Sequence, residues 1–320
     1  MFILKWNNFD FSSARVADNS KLYVFLIPVL LTQTFKLENK VKNSQPVIIK
    51  KATGEAEPFS IEKLKRSLRN AGAEEELIDE VATDIQLWIT DGITTKKIYS
   101  RAFSLLRKKQ KDVASRYKLK NAIMEMGPTG YPFEHFIGKI MELQGYSTLV
   151  GQVVDGRCVT HEVDVIATRG REQYLIECKY GTSPGKIYGV QIPLYIRSRV
   201  DDIIHRREAE EQFNGFTFHG GVVTNTRFST DAITYGTCSG LFVLSWDFPE
   251  GNGLKDLIDR EKIFPITVLH NLTKNQKQQL MERGIVICRQ IKENPEVLAS
   301  FQLTNRKFKR LINELNKILH

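Results

Sequence analysis

Apolar and polar positions follow different periods along this chain, and the changes of period mark its organisation. After a polar stretch from Lys40 to Pro46, the runs Val47-Ile48-Ile49 and Ala56-Glu57-Pro58-Phe59 flank a turn containing Gly54 and predict two short strands. Ser60 is placed to cap a helix whose apolar positions Leu64, Leu68 and Ala71 recur at helical spacing and which stops at Gly72. Further helices are predicted over 74–90, 94–108 and 111–126, so this first unit reads as a β-hairpin plus a small helical bundle. Gly127-Pro128-Thr129-Gly130 is the strongest breaker in the chain. Beyond it the pattern predicts a helix over 133–144, strands near 147–154, 162–168 and 173–179, a long helix over 185–211, and strands over 217–224 and 241–246. That order predicts an α/β unit, a mixed sheet flanked by helices. From Gly251 the pattern is helical again, with a helix capped by Thr273 and another ending in the basic run Arg306-Lys307-Phe308-Lys309-Arg310. The expected organisation is an extension over 1–43, a hairpin-and-bundle domain over 44–126, an α/β domain over 127–248 and a basic helical region over 249–320.

Composition narrows this picture without changing it. Over 320 residues, 42% hydrophobic and 26% charged, the chain has the make-up of a globular protein and not of a disordered one. Lys+Arg 46 against Asp+Glu 37 gives a net charge of +9, which points weakly toward a polyanionic partner. The excess is concentrated: residues 101–120 carry eight Lys/Arg and one Asp, and residues 271–320 carry ten Lys/Arg and four Glu. The four cysteines, Cys158, Cys178, Cys238 and Cys288, form no CxxC pair, which argues against a zinc ribbon or a disulfide framework and fits the cytoplasm. The apolar run Leu22–Leu31 sits in only 14 residues between Lys21 and Lys36 and contains Pro28, whereas a spanning helix needs about 20, so no membrane partner is expected.

Strand alternation places Leu175, Glu177 and Lys179 on one face of the third strand and Tyr174, Ile176 and Cys178 on the other. In the neighbouring strand the same rule groups Asp164 with Glu162 and Ile166, and sets Val163, Val165 and Ala167 on the opposite face. On the preceding helix Phe133, Phe136, Ile137, Ile140 and Met141 form an apolar stripe with Glu134 on its edge, aimed at the sheet. Singly, each has an ordinary explanation: Glu177 and Lys179 as an edge ion pair, Glu134 as an acid favoured at a helix start. Together they are three acids and a lysine embedded in apolar elements, an arrangement that costs several kcal/mol without a task, and carboxylates on adjacent strands suit a hard divalent cation.

The order of Glu134, His161-Glu162-Val163-Asp164-Val165 and Leu175-Ile176-Glu177-Cys178-Lys179 resembles the PD-(D/E)XK nuclease superfamily, specifically its Mrr-like restriction endonuclease branch. The resemblance covers about Gly127 to Trp246 and includes Tyr131-Pro132-Phe133-Glu134 and Val223-Thr224-Asn225-Thr226-Arg227-Phe228-Ser229. Gln191-x-x-x-Tyr195 is similar to the Gln-x-x-x-Tyr element of the RecB-like nucleases of that superfamily, and the residue before Asp164 is Val163 where proline is common. The resemblance implies a restriction-endonuclease-like sheet and metal-dependent hydrolysis of double-stranded DNA by an endonuclease of type IV restriction-like class. Asp164, Glu177 and the Cys178 backbone carbonyl are then expected to hold Mg²⁺, with Glu134 completing the shell or supporting a second ion. Lys179 is expected to orient or deprotonate the attacking water, which requires a lowered pKa or a charge balanced by the acids, and Gln191 and Tyr195 to line the site. His161 stays open between a base and a structural residue.

In the first unit, Lys63 occupies the position where a capping box has Glu or Gln, a poor place for a cation at a helix start. An anion bound there, reached also by Lys50 and Lys51, relieves the conflict; scattered surface lysines are the equally open alternative. Residues 47–71, with Gly92-Ile93-Thr94-Thr95-Lys96-Lys97-Ile98 and Ala114-Ser115-Arg116-Tyr117, resemble the ATP-cone, a regulatory nucleotide-binding domain. The resemblance covers about residues 44–124 and implies ATP or dATP as ligand, with Lys50, Lys51, Lys63 and Thr95 on the phosphates and Glu57 and Ser60 on the base or ribose. The turn is one residue longer than usual and Lys51 replaces the usual arginine, which leaves the choice between ATP and dATP open.

The reading that follows is a Mg²⁺-dependent DNA endonuclease regulated by a nucleotide, forming a homo-oligomer, with defence against foreign or modified DNA as its role. A structure-specific repair nuclease is one alternative. A nucleotide-responsive DNA-binding regulator without catalysis is another, although such regulators carry the paired cysteines that this chain lacks. The C-terminal region reads either as a phosphate-gripping helical module or as an amphipathic helix docked on the α/β domain.

Overall fold

The computed structural model describes residues 46–319 apart from 52, 53, 111, 112, 115, 116 and 184. The extension over 1–43, its run Leu22–Leu31, and Ser115 and Arg116 lie outside the described residues. Strands β1 (Ile48–Lys50) and β2 (Ala56–Pro58) pair antiparallel with Ile49 opposite Glu57. Ser60 caps helix α1 (Ile61–Asn70), its hydroxyl accepting from the Lys63 amide at 3.3 Å. Helices α2 (Glu75–Trp88) and α3 (Thr95–Lys109) follow, the latter capped by Thr94. Leu64, Leu68, Ile78, Val81, Ile85, Ala102 and Leu106 bury into one small core that also takes Ile49 of the hairpin. Within the span predicted as helix over 111–126, the described residues 113, 114 and 117 are helical, a turn falls at Lys118, and α4 (Leu119–Met124) follows; Leu119, Ala122, Ile123 and Met126 enter a different core. The apolar side chains therefore change allegiance just before Leu119, a few residues ahead of the Gly127-Pro128 breaker.

Beyond α5 (Tyr131–Leu143) the chain builds a five-stranded mixed sheet in the order β3-β4-β5-β7-β9. Strands β3 (Ser147–Asp155), β4 (Thr160–Arg169) and β5 (Glu172–Lys179) are antiparallel. Strands β7 (Thr217–Thr224) and β9 (Phe242–Leu244) continue the sheet parallel to β5. Helices α6 (Gln191–Arg207) and α7 (Thr230–Cys238) cover one face. There Val163, Ile166 and Leu175 pack with Ile196, Val200 and Ile203, and Val222 and Val243 with Ala232. On the other face Val165, Ala167, Ile176, Cys178, Val223 and Leu244 join Phe133, Phe136 and Ile137 of α5. Among the described residues no helix is long and apolar enough to cross a membrane.

Three expectations are corrected. The helix predicted over 185–211 begins only at Gln191, because Ile187–Tyr188 forms a short strand, β6, parallel to β8 (Arg227–Phe228). Helix α7 was not expected from its Thr- and Gly-containing sequence; its signal is the Ser229 cap, whose hydroxyl accepts from the Ala232 amide at 3.2 Å. In the C-terminal region α8 (Leu254–Glu261), α9 (Lys274–Glu282) and α10 (Cys288–Glu293) precede α11 (Asn305–Leu319), so the basic run opens the last helix and does not end one. Pro295 stops the preceding helical segment, and Leu311, Leu315 and Ile318, at helical spacing, draw α11 into the same core as α5.

Candidate active site

Strand β5 follows the expected alternation, with Glu177 and Lys179 turned toward α6. Glu177 is 9% exposed, and both its oxygens are engaged. Oε1 accepts from the Lys179 ammonium at 2.6 Å and Oε2 from Arg199 of α6 at 3.0 Å. Lys179 also lies 5.6 Å from the centre of the Tyr195 ring. Burial works against the ammonium, but the hydrogen bonds to Glu177 and Tyr195 outweigh it and hold Lys179 protonated above its ordinary range. A lowered lysine pKa, one of the two routes by which it could serve the water, is therefore not what this arrangement produces.

Strand β4 departs from the expected alternation. Val163 packs with Ile166 beneath α6, and only Val165 and Ala167 face α5. The phase slips at Asp164, where the β4–β5 ladder stops at the pair Val165 and Ile176, and where the facing residue on β3, Gly151, has φ +63. Freed from the ladder, the Asp164 carboxylate accepts the Cys178 amide N–H at 2.6 Å. Burial and then the neighbouring Glu177 carboxylate push Asp164 up to about 6, against that hydrogen bond. Glu134, one turn into α5, folds back toward Gly130, where a Cβ would stand 2.9 Å from its Oε1. Burial, then Asp164, Glu162 and Glu177, push Glu134 up to about 7. The buried Cys178 thiol is raised by burial and is no nucleophile; the residue meets the site through its backbone N–H.

Elements far apart in sequence thus bring Glu134, Asp164, Glu177 and Lys179 into one electrostatic cluster. Among the described residues no three His, Cys, Asp or Glu side chains converge closely enough to ligate one ion. The donor set still fits a hard divalent cation in kind, since Glu134 and Asp164 repel one another in a buried place where the nearest cations are committed to Glu177. Gln191, at the start of α6, lies over Gly189, where a Cβ would be 2.4 Å from its Oε1. It makes no hydrogen bond to the four charged residues. His161 falls outside the cluster: its Nε2 lies 2.8 Å from Asp202 Oδ2, so the imidazole ties β4 to α6. Sequence reasoning missed Arg199; its signal is the continuation of the Gln191, Tyr195 row by another four residues.

In the hairpin unit, Glu57 stands between two of the predicted phosphate ligands, 3.0 Å from Lys51 and 3.3 Å from Lys63. The Lys51 hydrogen bond, aided by Lys63, holds Glu57 below the usual carboxylate range. Lys50 pairs through its backbone with the 93–94 segment, which brings Thr95 to the same end of the unit, and Ser60 is occupied as the helix cap.

Residues 264–319 match a family described as AF1548-like, C-terminal. An uncharacterised protein of Archaeoglobus fulgidus is 31% identical over 185 residues, which span 57% of this chain and 99% of that protein. The chain belongs to the AF1548-like family. The crystal structure of the protein of unknown function AF1548 shares 31% identity, superposes with a TM-score of 0.50, and is matched over 60% of this chain and 98% of its own. The likeness to the AF1548 crystal structure agrees with the mixed α/β class of this chain, a central sheet flanked by helices, and the names of these relatives carry no activity.

Proposed function

We propose that this AF1548-like chain is a divalent-metal-dependent endodeoxyribonuclease of Mrr-like type, built on a restriction-endonuclease-like sheet, whose activity or assembly responds to ATP or dATP bound at the hairpin unit. The observation that carries the reading is the parting of β4 from β5 at Asp164, which sets that carboxylate beside Glu177 and Lys179 with Glu134 close by. Glu134, Asp164 and Glu177 would hold Mg²⁺, which supplies Lewis-acid activation of water and charge neutralisation at the scissile phosphate. The protonated Lys179 orients the attacking water and stabilises the charge growing on the phosphate, and it is not the base. Tyr195 fixes the ammonium from above, and Gln191, one turn earlier on α6, faces the incoming backbone.

Cleavage of methylated and unmethylated plasmid with Mg²⁺, with and without ATP or dATP, tests the reading. Wild-type chain is expected to nick or linearise at least one substrate. Asp164→Ala and Lys179→Ala are expected to abolish cleavage while retaining DNA binding in a gel shift. Cleavage that survives both substitutions would remove the assigned site.

A further inference from the structure

Gln191, Tyr195 and Arg199 recur at i, i+4 and i+8 and form one row along α6. Two of the three lie directly over the strand-borne pair: Tyr195 over Lys179 at 5.6 Å, and Arg199 on Glu177 at 3.0 Å. The second terminal nitrogen of Arg199 donates to the Glu162 carbonyl at 2.6 Å. Arg199 therefore spans the ends of β4 and β5 at the place where those strands part. A guanidinium fork suits two oxygens of one carboxylate or one phosphate, yet here it is divided between a single carboxylate oxygen and a main-chain carbonyl.

Charge makes the arrangement more telling. Glu177 sits between two cations, so the three side chains together carry one positive charge. A divalent ion held by Glu177 and the Arg199 ion pair draw on the same carboxylate, whose other oxygen Lys179 already holds. Once the ion takes that carboxylate, the Arg199 nitrogen that held it is free for an anion, while the other still anchors the guanidinium on the Glu162 carbonyl.

We propose that Arg199 is a phosphate-binding residue of the site, held on Glu177 until metal takes that carboxylate, so that metal binding and capture of the substrate phosphodiester are linked through one guanidinium. The proposal rests on the nuclease reading. It adds a residue to the site and an order to its filling.

Calorimetric titration of Mn²⁺ into chelator-stripped full-length protein without DNA, paired with plasmid cleavage at saturating Mn²⁺, tests it in the wild type, Arg199→Gln and Arg199→Lys. Arg199→Gln is expected to bind Mn²⁺ about tenfold tighter, because the competitor for Glu177 is gone. It is also expected to cleave about a hundredfold more slowly at saturating metal, for want of the phosphate ligand. Arg199→Lys should recover part of the cleavage, and thermal melts check that both variants fold. If Arg199→Gln does not fold, Arg199→Lys decides alone, with cleavage about tenfold below wild type expected from loss of the fork and full cleavage overturning the proposal. Unchanged or weaker Mn²⁺ binding, or full cleavage, in a folded Arg199→Gln overturns the proposal and leaves the nuclease reading standing. A wild-type chain that neither binds Mn²⁺ nor cleaves removes both.

Discussion

Asp202 gathers donors from the hairpin between β3 and β4: the Cys158 amide at 2.9 Å, the Val159 amide at 3.3 Å and the His161 ring at 2.8 Å. Gly156 is the residue that lets the turn approach, since a Cβ there would stand 2.1 Å from the Asp202 carboxylate. The His161 hydrogen bond, then those from Cys158 and Val159, hold Asp202 down to about 2 from an ordinary 3.8. A depressed carboxyl contributes stability that is present in full above its unfolded pKa and is lost as pH falls through the folded one. Asp202→Asn is therefore expected to be less stable than the wild type at pH 7, with the gap closing between about pH 4 and pH 2. Urea melts of both proteins across that range measure it; a gap that stays constant down to pH 2 contradicts the assignment. At this scale the Glu177 and Lys179 pair was legible in the sequence because alternation along one strand fixes which side chains share a face, whereas the place of Asp164 was not, because β4 breaks step there. Arg199 on Glu177, 22 positions apart, and Asp202 on His161, 41 apart, were not, since no local period relates them.

At the scale of elements, the hairpin and the start of α1 form a unit whose lysines are already occupied by an anion of the chain itself. Glu57 bridges Lys51 and Lys63, so a nucleotide phosphate has to displace it or share its cations. At ligand near a hundred times its dissociation constant, binding stabilises by about 2.7 kcal/mol, which for a chain of this length corresponds to a rise of about 4–5 °C in melting temperature. ATP or dATP is expected to give such a rise in a thermal-shift assay, and Lys51→Ala and Lys63→Ala to lose it. No shift with either nucleotide would refute the sensor reading. Helix starts at Ser60, Thr94, Ser229 and Thr273 are marked in the sequence by their capping side chains. The slip of phase at Asp164 had no such mark, because it depends on Gly151 of one neighbouring strand and on the loss of pairing with the other.

Across the whole molecule, the C-terminal helices are part of the sheet's own core. Phe264, Leu269, Leu280, Ile291, Leu311 and Leu315 pack in one cluster with Phe133, Val165 and Ile176. Leu315→Ala is expected to cost about 2–5 kcal/mol, and a chain ended at Lys262 to lose cooperative unfolding or to appear in the insoluble fraction. A truncated chain that melts cooperatively at the wild-type temperature would show that the region folds as a separate unit. The two basic stretches also converge. Burial first, and then Lys118, Arg107 and Lys277, hold His270 below the ordinary imidazole range against Glu314, and His270 meets Phe103 edge-on at 6.1 Å. Charges that flank the α/β unit in sequence thus reach the same neighbourhood.

The sequence by itself determined the kinds and order of most of the elements and the Glu177–Lys179 pair, because period, caps and breakers act over a few residues. The tertiary structure alone decided that β4 breaks step at Asp164, that Arg199 competes for Glu177, and that the last helix completes the core under the sheet. Those outcomes depend on which distant surfaces exclude water together, and burial acts between elements without regard to their separation along the chain.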